Sequence, residues 1–372
     1  MNKYVKRYLI DAMGGMAQGL FASLLIGTII KTLGQQLLLA GQNPVFKFLV
    51  DTGTFACDAH VVGAAMAVGI GFAMKVPALV LFSLVAVGSA ANVCGGAGGP
   101  LAVLFVAIFA GELGSLVNGK TKVDIIVTPF VTILSGVLLT VLTAKYIGRA
   151  ALAFGNVIVW ATTLRPFLMG IIISLLVGIL LTLPVSSAAI CAALGLTGLA
   201  GGAATAGCCA QMVGFAVLSF TENRWSGVLS QGLGTSMLQM PNIIKNPKVW
   251  IPACLTSVIT GPLATCVFKL EMNGAAVSSG MGTCGLVGPI GVISGWFNPS
   301  ETALSHGAAA ITPGFSDITG LVLISIVLPA VLTWIFGKFF RRMGWIKEGD
   351  LLLEQTSRES NSTKPAETSK KE

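Results

Sequence analysis

The amino-acid sequence predicts an all-α protein that crosses the membrane many times. Of its 372 residues, 54% are hydrophobic and only 10% are charged, whereas soluble domains carry about a quarter charged residues. Charge-free windows recur along the chain, and most reach the length of about 20 residues that a transmembrane helix needs. They lie at 12–30, 76–111, 125–144, 166–221, 225–244, 249–268, 272–300 and 318–337. The windows leave no room for a soluble domain between them.

The windows and their polar borders predict nine spans. We expect these near 12–30, 59–74, 77–93, 99–117, 124–145, 166–183, 201–220, 249–269 and 317–337. Basic residues flank both ends, with Lys3, Lys6 and Arg7 at one and Lys338, Arg341, Arg342 and Lys347 at the other. Because cytoplasmic flanks of spans are rich in lysine and arginine, we predict a cell-membrane protein with both termini in the cytoplasm. That orientation requires an even number of spans and therefore a tenth.

Short glycine- and serine-rich segments are the candidates for the tenth span, or for re-entrant half-helices. They lie at 186–199, 226–240 and 283–296. Glycine clusters in such segments permit either close helix packing or broken helices around a cavity, and interrupted helices indicate a transporter's binding site. The mixed stretches 32–50 and 149–164 are expected to be amphipathic helices at the membrane surface.

Neutral polar residues form a stripe in the second half of the chain. Gln231, Thr235, Gln239 and Asn242 are spaced by four, four and three residues, which places them on one face of a helix. Together with Gln211, these side chains suit the recognition of a neutral polyhydroxylated solute by directional hydrogen bonds. Polar contacts between helices are the alternative interpretation.

Ionisable residues near span ends add further candidates, because charges within a membrane usually face a cavity or a partner. Asp58 and His60 begin one span and either bind a hydroxylated ligand, relay a proton or lie at the interface. Glu301 and His306 flank a half-helical stretch, and one of the acids Glu222, Glu271 and Glu301 offers a carboxylate for substrate hydroxyls. Glu222 is expected to pair with Arg224 in a loop, and Glu271 to end a span next to Lys269. Asn92 and Thr283 complete the candidate solute-binding set.

Several function classes receive no support from the sequence. The eight cysteines lack the CxxC spacing of a metal or redox site. We interpret them as small buried hydrophobic residues. No grouping of nucleophile, base and oxyanion donors indicates an enzyme. We therefore predict no cofactor, no metal, no catalytic residue and no nucleic-acid partner; the expected contacts are a small polar solute and membrane lipid.

Long strings of this sequence resemble a known family. They include LRPFLMGIIISLLVGILLTLPVSSAAI, the run from GLAGGAATAGCCAQMVGF to NPKVWIPACLTS, SGMGTCGLVGPIG, GAAMAVGIGFAMKVPALVLFS and GKTKVDIIVTPFVTI. On these strings the chain resembles the stand-alone enzyme IIC-like membrane proteins of the phosphotransferase system, in the branch with the perfringolysin regulator-like proteins. The resemblance covers about residues 10–340.

The resemblance implies a homodimeric transporter of about ten spans, in which a substrate-carrying part moves against a dimerising scaffold as in an elevator. Residues 1–340 would form the membrane transport domain and residues 341–372 a disordered, polar, cytoplasmic tail. A sugar is the implied solute, and IIA and IIB partners are expected as separate proteins. The histidine and glutamate motifs of sugar-transporting members are not recognisable here, so their roles are not carried over. Two functions stay open: transport by alternating access, or solute sensing without net transport.

Overall fold

The computed structural model describes Tyr4 and residues 6–41 and 43–353. The regular secondary structure of these residues is helical. Residues 198 and 272 add one isolated antiparallel bridge. The all-α polytopic class is therefore confirmed. The end of the predicted tail, 354–372, lies outside the described residues.

The first long helix packs antiparallel against the two helices that follow it. Helix α1 (Lys6–Leu39) lies beside α2 (Pro44–Ala56) and α3 (Ala59–Ala73), which meet at a bend of 55°. Glycines allow the close approach: Gly15 faces Gly69, and Gly34 faces Leu49. The single surface helix predicted at 32–50 was wrong, because the chain turns near Gly41 and Asn43 caps a new helix.

The next two helices form a tight antiparallel hairpin. Helices α4 (Ala78–Gly95) and α5 (Gly99–Val117) follow each other almost without a break in hydrogen bonding. The chain nevertheless reverses at Gly96, whose φ of 52° is open to glycine and strained for other residues. The reversal brings Gly114 against Val80.

Helix α6 (Asp124–Thr162) has 39 residues and is therefore about 58 Å long, against about 30 Å of hydrocarbon in a bilayer. A stripe of mostly small residues runs along one face, including Thr132, Gly136, Gly148 and Gly155, and this face is buried. The separate surface helix predicted at 149–164 was wrong: α6 continues through Thr162 and packs on the second half of the chain.

The second half contains both long and short helices. They are α7 (Pro166–Thr182), α8 (Ser187–Ala193), α9 (Gly198–Leu218), α10 (Phe220–Leu229), α11 (Met240–Lys245), α12 (Pro247–Val267), α13 (Ala276–Ser279), α14 (Val287–Phe297), α15 (Glu301–Ser305) and α16 (Phe315–Arg342). Helix α9 lies between α7, α12 and α16; Gly207 contacts Ser174 of α7, and Gly214 contacts Thr333 of α16.

Helices α8 and α14 lie largely within two of the segments predicted as half-helices, 186–199 and 283–296. Helix α8 has seven residues and spans only about 10 Å, too short to cross a membrane. Its Ser187 hydroxyl donates a hydrogen bond to the carbonyl oxygen of Gly280 beside α13 (2.7 Å). Six helical runs within the described residues are long and apolar enough to span a membrane, or seven with the bent pair α2 and α3. One of these runs holds both α4 and α5, and the number of spans stays a prediction.

The chain after α16 folds back onto the protein. Residues 343–353, here called the strap, bury Leu351 completely and Leu353 almost completely. Trp345 stacks on Phe340 of α16, with ring centres 5.1 Å apart. The first part of the predicted polar tail is therefore packed against the membrane domain.

Candidate functional site

The predicted amide stripe forms a buried chain of hydrogen bonds that ends on the strap. Asn242 donates to Gln239 (2.8 Å), and Gln239 donates to Gln231 (2.9 Å). Gln239 also donates to the carbonyl oxygen of Leu351 (3.0 Å), and Asn242 to that of Leu352 (3.0 Å). These three side chains thus bind main chain of the same protein in this structure. Solute binding by them stays a prediction.

The helix proposed for this stripe is interrupted. Thr235 has extended backbone angles (φ −157°, ψ 144°), with a π-helical turn before it and a 3-10 turn after it. The single helical face predicted for 231–242 was therefore wrong. The Thr235 hydroxyl accepts a hydrogen bond from the Met237 backbone N–H, which caps the second turn.

Gln211 lies apart from the stripe, at a fully buried contact of three helices. Its side-chain oxygen accepts a hydrogen bond from the Trp250 indole N–H (2.9 Å) and a longer one from Thr182 (3.4 Å). Its side-chain nitrogen donates to Ser257 (3.4 Å). The side chain joins α7, α9 and α12, which matches the interpretation as a polar contact between helices.

Asp58, His60 and Asn92 lie together at the exposed start of α3. Asp58 caps the helix by accepting the backbone N–H of His60 (2.8 Å). His60 Nδ1 lies 2.7 Å from the Ser89 hydroxyl, and Asn92 donates to the carbonyl oxygen of Ala59 (2.8 Å). All three side chains therefore have partners, and those of His60 and Asn92 hold α3 on α4.

The last two predicted site residues lie elsewhere. Thr283 is buried and donates its hydroxyl to the carbonyl oxygen of Gly232. Glu301 is exposed as the first residue of α15. The ten candidate residues are thus distributed over separate places and form no common site.

A small cavity lies at the start of α8, among the broken segments. Its volume is about 80 Å³, enough for two or three waters at about 30 Å³ each. Ligand pockets usually have about 300–1,000 Å³. Its walls are mostly apolar and include Leu25, Leu181, Ser187, Met237 and Met281. In this conformation the cavity is too small for a polar solute, and its lining is too apolar.

A larger and more polar pocket lies at the other end of α8. Its volume is about 410 Å³, within the usual range for small ligands of about 300–1,000 Å³. Three turns meet there, at 194–198, 271–273 and 303–308, and α6 closes one side with Val159 and Thr162. The paired backbones of Gly198 and Met272 hold two of the turns together, with two hydrogen bonds of 3.0 Å.

Besides Thr162, four polar side chains line this pocket, and all four belong to its three turns. Asn273 is buried and donates to the carboxylate of Glu271 (2.9 Å), which is exposed. Thr197 lies 3.2 Å from Nδ1 of His306. A carboxylate accepts strong charge-assisted hydrogen bonds from hydroxyl groups, and the amide, hydroxyl and imidazole add donors and acceptors. We call these four residues the polar pocket.

Three of these four residues were missed as site residues from sequence, and His306 entered only as a neighbour of Glu301. Glu271 was expected to pair with Lys269 at the end of a span. The sequence signal that could have identified this site is a carboxylate, Glu271, followed two residues later by an amide, Asn273, just after a helix ends. Within the described residues, the polar pocket included, no three His, Cys, Asp or Glu side chains come together as metal ligands.

An all-helical, multi-pass architecture with broken helices around a polar pocket is the architecture of membrane transport proteins. Comparison with known families identifies which one. Residues 10–353 match the family described as phosphotransferase system, EIIC, and the chain belongs to this family. The chain is thus a membrane permease component of the phosphotransferase type. Comparisons with curated proteins and with solved structures gave no match, and the narrower perfringolysin regulator branch stays a prediction.

Proposed function

We propose that this protein carries a small, polar, sugar-like solute across the cell membrane by alternating access. The observation that carries the proposal is the polar pocket of about 410 Å³ at one end of α8, whereas the apolar cavity at the other end has only about 80 Å³. The two lie about 10 Å apart, the length of the seven-residue helix. A solute site that is wide at one end and too narrow for the solute at the other is what one state of alternating access requires.

In this proposal the carboxylate of Glu271 is the anchor for solute hydroxyl groups. Asn273 orients the carboxylate, and His306 and Thr197 contact the far side of the solute. Separate IIA and IIB proteins would supply phosphorylation, and a homodimer with cytoplasmic termini would complete the transporter. The pocket faces α6, so movement of the second half against α6 would change its access.

Uptake of labelled sugars and polyols into proteoliposomes tests the proposal. We expect uptake by the unaltered protein and a loss of at least about tenfold in Glu271→Gln, because one charge-assisted hydrogen bond contributes about 1.5–3 kcal/mol. Glu301→Gln is the matched control, since this exposed acid at the start of α15 does not line the pocket.

Two results would contradict the proposal. Equal uptake by Glu271→Gln and by the unaltered protein would exclude the polar pocket as the solute site. Solute binding without uptake under any energised condition would instead favour the sensor function. Parallel tests of Gln239→Ala and Asn242→Ala would determine whether the amide stripe contributes to solute affinity.

A further inference from the structure

A long groove on the outer surface of the second half is apolar along its length and basic at one end. It encloses about 570 Å³ between α10 and α16. Its walls include Leu218, Phe220, Trp225, Val228, Trp334 and Lys338. Because the walls offer few hydrogen-bonding groups, the groove does not suit a sugar.

Two tryptophans place this groove at the level of the lipid headgroups. Trp225 is 71% exposed and Trp334 is 50% exposed. Trp225 is held edge-on against Phe220, with ring centres 5.6 Å apart. Exposed tryptophan is enriched where the hydrocarbon meets the headgroups, so one end of the groove reaches the hydrocarbon and the other reaches the headgroups.

Basic side chains gather at the headgroup end. Lys338 Nζ lies 3.8 Å from the centre of the Trp334 ring, and Arg342 is exposed on the same turn. Arg341 pairs through Nη2 with Glu222 (2.8 Å) and also donates to the carbonyl oxygen of Leu218 (3.1 Å). The pairing of Glu222 with Arg224 predicted from sequence was therefore wrong.

The local charge remains positive after this pairing. Lys338, Arg341 and Arg342 bring three positive charges to the last turns of α16, and Arg341 pairs with one carboxylate, that of Glu222. Arg224, exposed on α10, adds another positive charge. An arginine has five N–H donors, and the contacts just described use only Nη2. Donors therefore remain for a further anionic group.

We propose that this groove binds one anionic phospholipid. An acyl chain lies along Leu218, Val228 and the tryptophans, and the headgroup phosphate contacts Lys338 and Arg341. An anionic lipid combines a long apolar chain with a negative charge, and the groove combines the complementary features. Basic pockets between transmembrane helices bind anionic headgroups by the same combination.

Native mass spectrometry of the full chain in a neutral detergent tests this proposal. The probes are phosphatidylglycerol and phosphatidylcholine with the same acyl chains. We expect phosphatidylglycerol to bind at least about fivefold tighter, as one basic residue near an anionic lipid contributes about 1 kcal/mol. Lys338→Gln should remove most of this preference and leave phosphatidylcholine affinity unchanged.

Control variants separate the lipid site from general charge effects. Lys120→Gln, in the exposed turn between α5 and α6, should keep the full preference, and Lys338→Arg should retain it. Trp225→Ala should weaken the binding of both lipids, because it removes part of the apolar wall and leaves the charged residues unchanged. Melting temperatures verify that each variant is folded.

Three outcomes would overturn the proposal. The first is equal affinity for the two lipids, and the second is an unchanged preference in Lys338→Gln. The third is conversion of a dimer to a monomer by Trp334→Ala, which would make the groove a contact with a second copy. Millimolar inorganic phosphate should leave lipid binding intact, since the apolar chain is required. None of these results depends on solute transport.

Discussion

At the scale of single residues, replacement of Gln211 measures how much its hydrogen bonds between helices contribute to stability. Gln211→Ala leaves the indole N–H of Trp250 without its acceptor, and a buried unsatisfied donor costs about 1–3 kcal/mol. We expect a clear fall in melting temperature in detergent. Gln35→Ala, at an exposed position of α1, is the control and should melt like the unaltered protein. A Gln211→Ala variant of normal stability that loses solute affinity would instead make Gln211 a solute contact.

A pair of glycines tests close helix packing in the same way. A Cβ atom at Gly207 would lie 1.9 Å from the carbonyl oxygen of Ser174, so α7 and α9 would have to separate. At Gly111 the nearest atom would lie 3.5 Å away, at ordinary contact distance. We expect Gly207→Ala to abolish folding or strongly lower the melting temperature. Gly111→Ala should be neutral or stabilise by up to about 1 kcal/mol. Similar behaviour of the two variants would contradict the packing described here.

At the scale of elements, the strap explains why the amide stripe is buried. Gln239 and Asn242 recognise the carbonyl groups of Leu351 and Leu352, and Asn223 donates to Leu351 and accepts from the N–H of Leu353. These hydrogen bonds involve backbone atoms of the strap, so they do not depend on the identity of the strap side chains. The spacing in sequence predicted that the amides cluster, and Gln231, Gln239 and Asn242 do. It could not identify their partner, because that partner lies more than 100 residues further along the chain.

Removal of the strap should therefore destabilise the protein. A chain that ends after Gly344 loses at least four hydrogen bonds of about 1 kcal/mol each, three of them buried, and the burial of Leu351, which contributes about 1.5–3 kcal/mol. We expect a lower melting temperature and faster proteolysis near Gln239. A chain that ends after Leu353 is the control and should retain full stability. Equal melting of both truncated chains would mean that the strap contributes nothing to stability.

At the scale of the whole molecule, much of the architecture follows from composition, and the pocket does not. Each of the nine predicted spans overlaps a helix, because about 20 apolar residues in a row leave few other structures in a bilayer. The polar pocket joins Thr197, Glu271 and His306, and the first and last of these are 109 residues apart. Short polar turns so far apart in the sequence form no periodic pattern from which their proximity could be predicted. Only the packing of α8, α9 and α12 brings them together.

The last prediction concerns movement of the second half against α6, and it rests on the proposed transport. A Cβ atom at Gly155 of α6 would lie 3.2 Å from the Leu194 side chain, near the polar pocket. In a background with the exposed Cys94 and Cys266 changed to serine, we expect oxidation of the Gly155→Cys, Leu194→Cys variant to stop uptake and reduction to restore it.

The control for this experiment is a disulfide within the second half. The hydroxyl groups of Thr256 and Thr333 lie 2.8 Å apart, so Thr256→Cys, Thr333→Cys joins α12 to α16, close enough for a disulfide. Because the proposed movement would carry both helices together with the second half, oxidation of this pair should leave uptake intact. Full uptake with the α6 pair oxidised would show that the second half does not slide along α6. Access to the pocket would then have to change through the short segments around α8 alone.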